Sequence, residues 1–118
     1  MQKSTIRYMT EAEVMNYLIA MAKENQINNL AREAYNNALL RGKITPEDSH
    51  EIIYIGINQE LNEFCDATNE PSEHLPQYTQ RQEELADVLI CCLTELHREG
   101  VNVEEIVTSK INYNKTRL

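Results

Sequence analysis

The sequence predicts an all-α fold, a bundle of four to five helices forming one domain over residues 1–118. Three observations carry this. Gly and Pro number only three each, with one Phe, no Trp and few β-branched runs, a composition that favours helices over a sheet. Apolar residues recur three and four apart. Capping residues stand where the apolar periodicity begins, and glycines stand where it stops.

Thr10 followed by Glu13 is a capping-box pair that opens a helix near residue 11, with Val14, Leu18 and Met21 on one face. A second helix is predicted from about Ile27 to Arg41, carrying Leu30, Ala34, Ala38 and Leu39 and ended by Gly42. Thr45-Pro46 reads as the next start, because Thr caps well and Pro at the first helical position lacks only an N–H that would be unpaired anyway. That helix is expected to run to about Thr68, with Ile53, Ile57, Leu61 and Phe64 as its stripe. Asn69 to Pro76 is rich in turn residues and predicts a loop. Thr79 and Gln82 form another capping-box pair before a helix ending near Glu99, with Gly100 after it. Asn102 and Glu105 cap a last helix, about Val103 to Thr116. Short loops between such helices suit a bundle.

Eleven Lys and Arg against nineteen Asp and Glu leave a net charge of −8. An acidic surface repels polynucleotides, so a nucleic-acid-binding module is disfavoured, and clustered acid suits divalent cations. No stretch of about 18 apolar residues exists, so no membrane span is expected. The N-terminus lacks the apolar core of a signal peptide, and the expected location is the cytoplasm. Cys65, Cys91 and Cys92 are an odd set without zinc-ligand spacing, and they read as small core hydrophobes. A helical core in a chain this short is small, so partners are expected to help cover apolar surface.

Two motifs share one form: Glu60-Leu61-Asn62-Glu63 and Glu84-Leu85-Ala86-Asp87. Residues three apart on a helix share a face, so each motif aims two carboxylates the same way. If the two helices pack antiparallel, four carboxylates converge into the oxygen-ligand set that a hard cation such as Mg²⁺ takes. Glu60 borders the apolar stripe between Ile57 and Phe64, and Gly56, one turn earlier, leaves room. Asp87 precedes Val88-Leu89-Ile90-Cys91-Cys92-Leu93, six apolar residues in a row that predict burial on several sides. A carboxylate beside such a run is costly to desolvate unless a cation or donor compensates. Lys110, Asn114 and Arg117 share a face of the last helix and suit phosphate oxygens. Cations near a helix C-terminus also suit the macrodipole alone.

In this order and spacing, Glu60-x-x-Glu63, Glu84-x-x-Asp87 and Lys110-x-x-x-Asn114-x-x-Arg117 resemble the MazG-like all-α NTP pyrophosphohydrolase superfamily. The resemblance covers about residues 30 to 117. It includes Asn37-Ala38-Leu39-Leu40-Arg41-Gly42, which is similar to the family's pre-motif helix but has Arg41 where Lys is usual, and the turn Gly100 to Glu105. It implies hydrolysis of a nucleoside or deoxynucleoside triphosphate to monophosphate and pyrophosphate, in nucleotide pool control or house-cleaning. Mg²⁺, or Mn²⁺ in its place, would be held by Glu60, Glu63, Glu84 and Asp87, with Glu63 also handling the attacking water. Lys110, Asn114 and Arg117 would contact phosphates, and Asn37 would face the nucleoside. It further implies a homodimer or homotetramer. The chain has no Trp, whereas family members often carry one before the first motif, which leaves Tyr35 or Tyr54 to stack on a base.

Other motifs point elsewhere. Glu47-x-x-His50 resembles half of a di-iron motif, but such sites need two. His74 and His97 read as solvated. Cys91 and Cys92 sit in apolar sequence that keeps thiols protonated and inert. A non-catalytic helical interaction module, or a nucleotide-binding relative without turnover, is the alternative to an enzyme.

Overall fold

The computed structural model describes residues 8–117, and of residues 21–25 the backbone alone. Among the described residues there are four helices and no strand: α1 (Glu11–Leu40), α2 (His50–Asp66), α3 (Gln80–Arg98) and α4 (Val103–Lys115). α3 is central. α1 and α2 both pack on it without touching each other, and α4 is joined to α1 and, more lightly, to α3.

The helix ends follow the capping chemistry. Thr10, Thr79 and Asn102 each accept the backbone N–H three residues on, and at α3 both halves of the capping box form. Gly42 and Gly100 take φ of 68° and 75°. Each closes a Schellman motif: Lys43 N–H bonds to Ala38 C=O at 2.9 Å, and Val101 N–H to Leu96 C=O at 3.1 Å.

Three expectations between residues 11 and 49 are corrected. Residues 11–40 form one helix, where a break was expected before Ile27. The intervening stretch contains no Gly or Pro, so nothing stops propagation. The lapse in periodicity is a rotation of the apolar face. At about 100° per residue, Val14 and Leu18 point roughly 150° away from Ile27, Ala31, Ala34 and Ala38. Leu30, expected on the inner stripe, is exposed, and Ala31 takes the core position. Thr45 does not cap α2. Its hydroxyl and N–H both donate to Asp48, at 2.7 and 3.0 Å, which makes a turn, and Ser49 caps the helix four residues later.

The core is small. Ala31, Leu93 and Val103 are buried, with Ile27 and Leu96 packed against them. The burial on several sides expected of Val88–Leu93 is met in part: Leu93 is buried and Val88, Cys91 and Cys92 are half-buried, while Leu89, 57% exposed, and Ile90 are exposed. Cys65 is also exposed, on the outer side of α2, rather than a core residue. No described helix is long and apolar enough to cross a membrane.

Candidate metal centre

α2 and α3 run antiparallel, and three sets of contacts fix their register. At one end, Arg98 holds Glu95 by two bonds of 2.7 and 2.8 Å. Its remaining amino group donates to the carbonyls of Pro46 and Asp48, both at 3.1 Å, tying the α1–α2 loop to α3. At the other end, Thr68 donates to Gln80 at 3.0 Å, and Arg81 N–H bonds to Thr68 C=O. Between these two residues the loop folds onto the first turn of α3. Ser72 is buried, donates its hydroxyl to Glu83 and accepts Leu75 N–H at 3.1 Å, while His74 Nδ1 meets the other Glu83 oxygen at 3.0 Å. His74 is exposed as expected, yet partnered.

This register brings the acidic motifs together. Glu60, Glu84 and Asp87 each offer a carboxylate oxygen within 4.8 Å of the other two. Glu63 is exposed at the rim and lies against Glu60 and Glu84, whose carboxyls its charge and contact push upward. Glu60 Oε2 and Glu84 Oε2 are buried and have no hydrogen-bond partner among the described residues. All three clustered groups titrate above their usual range. Desolvation is the largest cause in each. Mutual repulsion follows, chiefly from Glu63 at Glu60, from Asp87 at Glu84 and from Glu83 at Asp87. Two carboxylates this close repel by about 3.5 kcal/mol at an effective dielectric of about 20. Orphaned buried oxygens and stacked negative charge are the features that a cation with oxygen ligands compensates. The donor set is all carboxylate, which fits a hard divalent cation rather than a soft metal.

Glu60, Glu63 and Asp87 line a cavity of about 400 Å³ between α1 and α2, floored by α3, while Glu84 lines a second pocket with Glu63, His74 and Glu83. Asn37, Arg41 and Lys43 line one side of the cavity and Ile53, Gly56 and Ile57 the other. A side chain at Gly56 would meet nothing within 4 Å, so this wall is open. The side chains of Arg41 and Lys43 make no hydrogen bond or ion pair with another described residue, their backbone N–H groups closing α1 instead. Arg41 nevertheless draws Asp87 back down against the repulsion. Cys91 lines the cavity too, and burial together with the nearby carboxylates pushes its thiol up to about 11, so it stays protonated.

Other expected site residues are not in the cavity. Lys110 and Asn114 lie on the exposed part of α4 and Arg117 just past its end, away from α2, and the Lys110 ammonium sits 4.8 Å from the Tyr113 ring. Neither Tyr35 nor Tyr54 lines the cavity. Tyr35 packs on His97, ring centroids 5.0 Å apart, so His97 is half-buried rather than solvated. Glu47 lies outside α2, so it and His50 form no helical pair. Sequence reasoning missed Lys43 and the role of Arg41. In sequence Arg41 stands only as a Lys replacement; its place at a helix C-terminus, one turn after the candidate Asn37, is the signal that points to the cavity. No protein-family model, curated protein or solved structure matches this chain.

Proposed function

We propose that the chain is a Mg²⁺-dependent nucleoside triphosphate pyrophosphohydrolase, acting as a homo-oligomer and releasing a monophosphate and pyrophosphate. The observation that carries this reading is the Glu60–Glu84–Asp87 cluster with its two unpartnered buried oxygens, of which Glu60 and Asp87 line a nucleotide-sized cavity. Glu60, Glu84 and Asp87, completed by Glu63 at the rim, hold the metal. Bound there, Mg²⁺ supplies charge neutralisation for the phosphate oxygens and the leaving pyrophosphate.

The remaining work falls to the chain's own side chains. Glu63, the most exposed of the four, orients the attacking water and accepts its proton. Arg41 and Lys43 bring fixed positive charge to the triphosphate from the same cavity. Asn37 presents an amide to the nucleoside, and the apolar wall of Ile53, Gly56 and Ile57 receives the base without an aromatic stack. Lys110, Asn114 and Arg117 act on phosphate in this reading only across a subunit boundary, from α4 of a second copy.

The test is product analysis with a panel of ribo- and deoxyribonucleoside triphosphates in Mg²⁺. Monophosphate plus pyrophosphate is expected for at least one of them, with turnover down at least about a hundredfold in a folded Glu63→Gln variant. Diphosphate plus orthophosphate contradicts the reading. Wild-type turnover in Glu63→Gln contradicts the role given to Glu63.

A further inference from the structure

Among the described residues the acidic groups on the cavity wall are Glu60, Glu63, Asp87 and Glu95, and Glu95 alone lies outside the metal centre. It shares the cavity face of α3 with Asp87, Cys91 and Thr94. From Asp87 to Glu95 the helix rises roughly 12 Å. On the α2 wall, Glu60 and Ile53 are separated by roughly 10 Å of helix. The bonds from Arg98 to the carbonyls of Pro46 and Asp48 hold the start of α2 beside the end of α3. Ile52 and Ile53 therefore share the far end of the cavity with Thr94 and Glu95. The separation of the two ends is comparable to the span from the α-phosphate of a nucleotide to the far edge of its base.

Glu95 is arranged to accept hydrogen bonds at that far end. Arg98 holds both of its oxygens, at 2.7 and 2.8 Å, and the two side chains are only 14% and 13% exposed, so the carboxylate is fixed and shielded from water. Each oxygen keeps a second acceptor position, and a carboxylate paired with a guanidinium offers no donor. The Thr94 hydroxyl and the Asn37 amide, on the same cavity wall, can each donate or accept, so neither discriminates between the two kinds of base edge. Glu95 does. An exocyclic amino group gives it a donor. Uracil, thymine and hypoxanthine offer only a ring N–H beside a carbonyl oxygen, which the carboxylate repels.

We infer that Glu95 selects a base with an exocyclic amino group (cytosine, adenine or guanine) over one that has only carbonyl oxygens and a ring N–H. The inference rests on the nucleotide reading of the cavity, and it makes deaminated nucleotides poor substrates. The experiment compares CTP with UTP, and ATP and GTP with ITP, in the ribo and deoxy series. It measures kcat/KM in Mg²⁺, and binding of the matching monophosphates by calorimetry. A preference of at least about tenfold for the amino member is expected in the pyrimidine or the purine set, the scale of one hydrogen bond to a charged group. In Glu95→Gln, whose amide both donates and accepts, the preference shrinks to within about threefold. Equal use of the members of both sets, or a preference for UTP or ITP, overturns the inference and leaves the pyrophosphohydrolase reading standing. So does a preference that a folded Glu95→Gln keeps unchanged. The expected preference among monophosphates, with no turnover of any triphosphate, supports the inference and overturns that reading. Neither binding nor turnover overturns both. If Glu95→Gln does not fold, the wild-type comparison decides alone.

Discussion

At the residue scale, the carboxylate set holds the balance of charge in the cavity, and Arg41 is a counterweight to it. Its guanidinium lowers Asp87 while desolvation and Glu83 raise it. A cation in that position opposes a metal ion but attracts a triphosphate. Arg41→Ala is therefore expected to do two opposite things. Mg²⁺ binding, measured calorimetrically, tightens, while KM for the triphosphate rises about tenfold, the scale of one charge-assisted bond to phosphate. A merely structural role for Arg41 moves neither in this pattern. The two acidic pairs were legible in sequence because helical spacing alone puts Glu60 with Glu63 and Glu84 with Asp87 on shared faces. Arg41 and Lys43 were not, because they enter the cavity from the turn after α1, where no periodicity says which way a side chain points.

At the element scale, the site depends on the start of α3. Thr79 caps that helix through a reciprocal box with Gln82, and Glu83 in the same turn fastens the preceding loop through Ser72 and His74. Hydrogen bonds from Ser72 and then His74 hold Glu83 below the usual glutamate value. Thr79→Ala is expected to cost about 1 kcal/mol, seen as a fall in Tm of roughly 5 °C at fixed protein concentration. No change in Tm would mean that the loop contacts, rather than the cap, fix this end. Capping chemistry made α3 and α4 readable to within a residue. It failed at Thr45, where Asp48 captured the hydroxyl that was expected to cap. It failed again in the middle of α1, where an apolar face changing sides looks in sequence like a helix ending.

At the scale of the whole molecule, a small core and long exposed helices leave stability dependent on what binds. In the proposed reading a second copy would cover apolar surface, and a cation would relieve the acidic cluster. The second effect has a defined sign. Glu60, Glu84 and Asp87 titrate above their usual values of 4.5, 4.5 and 3.8. The stability they contribute without metal is therefore full below those values and lost as pH rises through the raised ones. Glu83 works in the opposite direction, but its contribution changes only below its usual 4.5 and is constant above it. Thermal unfolding of the wild type and of Glu84→Gln, with and without Mg²⁺, at about pH 5 and about pH 7.5, tests the four-carboxylate metal centre most directly. The expected result is a Mg²⁺-dependent rise in Tm that is larger at the higher pH and lost in Glu84→Gln. No rise in the wild type at the higher pH, or the same rise in Glu84→Gln, contradicts it.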